Sequence, residues 1–87
     1  MQTNLMNPIL KSISDITGFL IPIEWDKHQI VVKVGIMTDS FEKYIIAESD
    51  TIFSKHLHKK IKAKVVFVGE DMAGNKIIKL LKHTLFS

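Results

Sequence analysis

Gly74-Asn75-Lys76-Ile77-Ile78-Lys79-Leu80-Leu81-Lys82 decides the fold of this chain, because it can be read in two periods. Ile78 and Leu80 alternate with Lys79 as on a strand. Ile77, Leu81 and Leu85 are spaced as on a helix, and leucine and lysine both favour helices. Periodicity alone leaves both readings open. Just upstream, Val65-Val66-Phe67-Val68-Gly69 is a β-branched apolar run, and Glu70-Asp71-Met72-Ala73-Gly74-Asn75 is a loop ending in turn-forming Gly-Asn. Two apolar runs around such a turn predict a hairpin, with residues 76–82 paired to residues 63–69.

Farther upstream, Ser49-Asp50-Thr51 offers oxygens to cap a helix. Over residues 51–61, Phe53, Leu57 and Ile61 stand at i, i+4 and i+8, a narrow apolar stripe. This predicts a helix whose Phe53 plugs the core, followed by a strand over 63–68. Before it come three strands. From Thr17 the period is two, with Phe19, Ile21, Ile23 and Trp25 on the side expected to face inward. Pro22 requires an edge or a bend there. Asp26-Lys27-His28-Gln29 is a turn. Residues 30–38 place Ile30, Val32, Val34, Ile36 and Thr38 on one face, and Val31, Lys33, Gly35 and Met37 on the other. Gly35 inside a strand predicts a bulge or a tight bend. After the turn Thr38-Asp39-Ser40-Phe41, residues 42–48 form a third strand with Tyr44 and Ile46 toward the core. Residues 1–12, containing Asn7-Pro8, are expected as a loose arm, and residues 13–87 as a single domain.

The order strand, strand, strand, helix, strand, strand is that of the OB-fold, a five-stranded Greek-key barrel with its helix between strands 3 and 4. Three stretches carry a more particular likeness: Thr17-Gly18-Phe19-Leu20-Ile21-Pro22-Ile23-Glu24-Trp25-Asp26, Glu42-Lys43-Tyr44-Ile45-Ile46, and Val65-Val66-Phe67-Val68-Gly69 with Gly74-Asn75-Lys76-Ile77-Ile78. Together they resemble a group of small, uncharacterised bacterial OB-like proteins over roughly residues 16–83. The resemblance implies an all-β barrel and a strand for the last segment. It implies no particular chemistry. One departure is the first hairpin turn, where many of those proteins carry a glycine and this chain has Lys27-His28-Gln29.

The chain has 87 residues, enough for one small domain. It has no cysteine, which removes disulfides, thiolate metal sites and thiol chemistry. No apolar run approaches a membrane span and the first residues lack a secretory pattern, so a cytoplasmic protein without membrane association is expected. The net charge of +3 is unevenly spread. Residues 1–54 carry four lysines against seven carboxylates, and residues 55–87 carry eight against two. All twelve basic residues are lysine. Lysine is a hydrated point charge without the planar fork of arginine, which argues against duplex sequence readout and leaves non-specific attraction to polyanions.

OB-folds generally hold ligands on the outer face of strands 2 and 3 and the adjoining loops. By parity, Phe19, Trp25, Tyr44, Phe53 and Phe67 are expected inside or at the barrel rim, leaving Phe41 and Phe86 outside. The leading expectation is a non-enzymatic binding module for single-stranded DNA or RNA through Lys27, His28, Lys33, Lys43 and Phe41, with Lys55, Lys59, Lys60 and Lys62 as an electrostatic supplement. The alternative is an interaction module in which Val31, Met37 and Ile45 meet a protein partner or a second copy. His56 and His58, two apart on a helix, would point nearly opposite ways and could not chelate together, so no metal is expected. No nucleophile elbow, paired carboxylates or phosphate loop is present, and neither catalysis nor a cofactor is expected.

Overall fold

The computed structural model describes residues 12–47 and 51–86. The expected arm lies outside these except for Ser12, as do Ser49 and Asp50 of the expected helix cap. Five strands, β1 (Ser14–Trp25), β2 (Val31–Thr38), β3 (Lys43–Ile46), β4 (Lys60–Glu70) and β5 (Lys76–Leu85), close into a barrel in the order β1-β2-β3-β5-β4. All neighbours are antiparallel except β3 and β5, which run parallel. This is the OB-like Greek-key arrangement. The segment with two possible periods is a strand: β5 pairs with β4 along its length, from Glu70↔Lys76 to Ile61↔Leu85. On its other side residues 76–78 pair with β3, and this burial between strands, with Ile78 fully buried, overrides the local helix propensity.

The helix between β3 and β4 is a single turn, α1 (Thr51–Ser54), not the eleven-residue helix that the spacing predicts. Residues 55–58 form a turn in which His58 has φ 71°. β4 then begins at Lys60 rather than Ala63. Phe53 and Ile61 are buried and Leu57 leans on the same core, but they come from a helical turn, a strand and a turn respectively. Pairing of Lys60 and Ile61 with Phe19 and Gly18 closes the barrel and overrides the local helical spacing.

The core consists of Ile16 and Leu20 of β1, Val34 and Ile36 of β2, Tyr44 and Ile46 of β3, Phe53 of α1, Ile61, Ala63 and Val65 of β4, and Ile78 of β5. The inward parity of β1 is therefore the reverse of the expected one. Ile16, Gly18 and Leu20 face the core, while Phe19 (45% exposed) and Trp25 (50% exposed) face solvent. Gly18 explains the choice. Here β1 pairs with Thr38 of β2 and Ile61 of β4 at once, and a Cβ would run into the Met37 carbonyl and the Ile36 side chain. Only glycine can hold this inward position without a backbone shift.

The ladder irregularities of β1 fall between Pro22 and Trp25, not at Gly35. Across them the expected parity of β2 changes. Val34 and Ile36 are inside as expected, but Ile30 and Val32 are exposed and Val31 packs against the core. Phe67 is only partly covered, its ring 5.7 Å from that of Tyr44 at the barrel mouth.

The three hairpins share one turn design. In each, the carbonyl of the first residue accepts from the amide three residues on, and its side-chain oxygen accepts from the amide four residues on. Asp26 does this for Ile30, Thr38 for Glu42 and Asp71 for Asn75. The fourth residue takes positive φ: Gln29 (68°), Phe41 (64°) and Gly74 (88°). The missing glycine of the first turn is thus replaced by Gln29 in the left-handed conformation, held by the Asp26 carboxylate.

Candidate nucleic-acid interface

The sequence Lys60-Ile61-Lys62-Ala63-Lys64-Val65 alternates strictly, and β4 converts that alternation into two faces. Ile61, Ala63 and Val65 are buried, and Lys60, Lys62 and Lys64 line up outside. Because β4 is flanked by β1 and β5, its lysines sit in the middle of a three-stranded surface. One row across that surface is Asp15, Lys64 and Lys82; the next is Thr17, Lys62 and Thr84. In a third row Phe19 pairs with Lys60, and the Phe86 amide donates to the Lys60 carbonyl at 2.9 Å. Phe86 is 43% exposed, and the Lys60 ammonium stands 5.8 Å from its ring centroid. Met37 extends this third row beyond Phe19 on β2.

Adjacent strands are about 4.8 Å apart, so Phe19 and Phe86 flank Lys60 at roughly 10 Å from each other. The first two rows border a shallow depression of about 270 Å³. Of these lysines, Lys64 is ion-paired, to Asp15 at 3.0 Å. Among the described residues, Lys60, Lys62 and Lys82 have no carboxylate within ion-pair distance. The arrangement can therefore offer uncompensated positive charge beside two apolar rings.

The expected β2–β3 face is different. Lys33 lies 3.6 Å from Glu24, and the charge of Lys43 falls on the Asp71 carboxylate. Lys27 and His28 sit in the β1–β2 turn, where the His28 amide donates to Asp26 Oδ1 at 2.7 Å. Phe41 is at the tip of the β2–β3 turn and is 85% exposed. Lys55 and Lys59 are exposed in the connection before β4. The structure thus brings Lys60 and Lys62 together with Lys64 and Lys82, and leaves Lys27, His28, Lys33 and Phe41 dispersed over turns and another face; Lys43 lies opposite Met37 at the far end of the third row, where its charge falls on Asp71. Of the three candidate interaction residues, Ile45 is 4% exposed, Val31 packs against the core and Met37 is half-buried.

Phe19, Lys64 and Lys82 are absent from the sequence-based set, and Phe86 is left there without a role. The alternation of lysine with Ile, Ala and Val was the available signal for Lys64. Phe19 depended on the parity of β1, which its sequence does not express.

Perturbed titrations belong to structural roles. Burial raises the Tyr44 phenol pKa, and the hydrogen bond from its hydroxyl to Glu42 Oε1 at 3.2 Å raises it further. The Asp71 carboxyl is lowered mainly by the Asn75 amide, and also by the Asn75 side chain, the Ala73 amide and the charge of Lys43. Among the described residues no charged side chain is buried, and no three His, Asp or Glu side chains are placed to share a metal ion. No helix among them is long and apolar enough to cross a membrane. No family model matches the chain, and neither a curated protein nor a solved structure matches it.

Proposed function

We propose that this protein is a non-enzymatic module that binds single-stranded nucleic acid, weakly and without base-sequence preference, on the outer face of β1, β4 and β5. The observation that carries the reading is the row of lysines on β4 and β5, largely free of carboxylates, with Lys60 set between the exposed rings of Phe19 and Phe86. Single strands are held by such a combination: cations follow the phosphates and flat apolar rings receive bases. Lysine without arginine suits phosphate attraction rather than base readout. The position departs from the β2–β3 face that OB-folds generally use, and the cause is electrostatic. Lys33 and Lys43 face nearby carboxylates, whereas Lys60, Lys62 and Lys82 do not.

The test is a titration with mixed-sequence single-stranded DNA and RNA at low and at physiological salt. Affinity should fall steeply with salt, because each phosphate contact releases counterions. Replacing Lys60, Lys62 and Lys82 with Gln should abolish most of the binding, while replacing Lys33 and Lys43 should leave it nearly intact. Absence of binding by the unmodified protein at low salt overturns the proposal.

A further inference from the structure

Lys79 and Lys82 stand three apart on β5, so a regular strand would turn them to opposite faces. The ladder with β4 is not regular there. Lys64 pairs with Lys82 and Val65 with Leu80, which leaves Leu81 as an extra residue of β5. Such a bulge re-aims the side chains beyond it. Lys79 pairs with Val66, and its neighbours Ile78 and Leu80 belong to the core side. Lys79 is therefore exposed on the same outer face as Lys82.

This adds a fourth row, Val66 with Lys79, beyond the row of Asp15, Lys64 and Lys82. Along β4 the rows fall at residues 60, 62, 64 and 66, about 6.7 Å apart. Each row offers one lysine that, among the described residues, has no carboxylate within ion-pair distance: Lys60, Lys62, Lys82 and Lys79 in turn. Lys64, the second lysine of its row, is held by Asp15 at 3.0 Å. The result is a line of charge about 20 Å long that follows the strands. A path across the strands is different. From Lys60 it passes Phe19 and Met37 before the next cation, Lys43, whose charge falls on Asp71.

The spacing selects a form of ligand. A stacked strand advances about 3.4 Å per phosphate, so only every second phosphate would meet a lysine. An unstacked strand stretches to about twice that rise, which sets successive phosphates on successive rows. Unstacking also frees bases for the exposed rings of Phe19 and Phe86 at the Lys60 end. We propose that Lys79 belongs to the binding site, and that the face takes an extended, unstacked single strand along β4 and β5, with consecutive phosphates on Lys60, Lys62, Lys82 and Lys79. The inference rests on the nucleic-acid reading and adds to it the path, the form and the length of the ligand.

The experiment titrates the full chain with labelled mixed-sequence single strands of two to eight nucleotides at several salt concentrations. Affinity should rise with length up to about five nucleotides, which carry four internal phosphates, and change little beyond. The slope of log affinity against log salt should then be about −3. Lys79→Gln should reduce that slope by about one, and Lys43→Gln should leave it unchanged. Both side chains are exposed, so circular dichroism of the two variants should match that of the unmodified protein. An unchanged slope in Lys79→Gln, an equal loss in Lys43→Gln, or affinity that levels off at two or three nucleotides would each overturn this inference while leaving the nucleic-acid reading in place. No binding of any strand by the unmodified protein at low salt would overturn both.

Discussion

Lys60 holds its ammonium group 5.8 Å from the centre of the Phe86 ring, and the same residue is paired in the ladder with Phe19 on its other side. A charge and two rings thus share one row, and each should leave a different signature. Phe86→Ala or Phe19→Ala should weaken single-strand binding about tenfold, the scale of one lost base stack, with the salt dependence unchanged. Lys60→Gln should instead reduce the slope of log affinity against log salt by about one. Fluorescence anisotropy of a labelled mixed-sequence strand, at several salt concentrations, measures both quantities.

Gly35 is buried under Ile23 and against β3. A Cβ there would lie 2.5 Å from the Tyr44 carbonyl oxygen and 2.9 Å from Ile23 Cδ1. The first neighbour is backbone and cannot move without disturbing the β2–β3 ladder, where Gly35 pairs with Ile45. Gly35→Ala should therefore destabilise the fold by about 1–3 kcal/mol, the range for overpacking. Urea denaturation should show a lower midpoint with an unchanged slope.

Trp25 is half exposed, and it lies beyond the ladder irregularities that follow Pro22. Its emission should be red-shifted and readily quenched by iodide. Trp25→Ala should cost well under the roughly 3 kcal/mol expected for emptying a buried aromatic site. Fluorescence and thermal unfolding of the two proteins test this directly.

Asp71 accepts from the Ala73 and Asn75 amides at 2.9 and 2.8 Å and from the Asn75 side chain at 3.1 Å. These bonds favour its charged form and lower its pKa below 3.8. Because the folded-state pKa is the depressed one, the stabilisation is fully present above about pH 4 to 5 and is lost as pH falls through the folded value. Asp71→Asn should be less stable than the unmodified protein at neutral pH, and the gap should narrow on acidification below pH 3.8. Thermal melts at stepped pH would reveal the trend; a gap that stays constant or widens would contradict it.

The three turns were legible because their chemistry is local. Asp26, Thr38 and Asp71 act on amides within four residues, and polar residues with that reach announce a turn wherever they stand. The succession of strands was legible for a related reason, since β-branched runs separated by turns leave few other arrangements. From these two signals and the strand order the barrel itself could be anticipated, with a helical element between β3 and β4 that proves to be one turn instead of eleven residues.

Which side of each strand faces inward was a different matter. In β1 both parities are apolar, with Ile16, Leu20 and Gly18 on one side and Phe19, Ile21 and Ile23 on the other. A period of two identifies a strand, but when neither face is polar it cannot orient it. The orientation came from distant partners: Gly18 must lie under the Met37 carbonyl where β1 is shared between two ladders. The same long-range pairing drew Lys60 out of a predicted helix and placed it with Lys62 in β4, and so arranged the lysine row beside Phe19 and Phe86. Local sequence determined the turns and the strand succession because hydrogen bonds and backbone preferences act over a few residues. Tertiary structure decided parity, the extent of β4 and the composition of the candidate site, because those depend on backbone groups brought together from opposite ends of the chain.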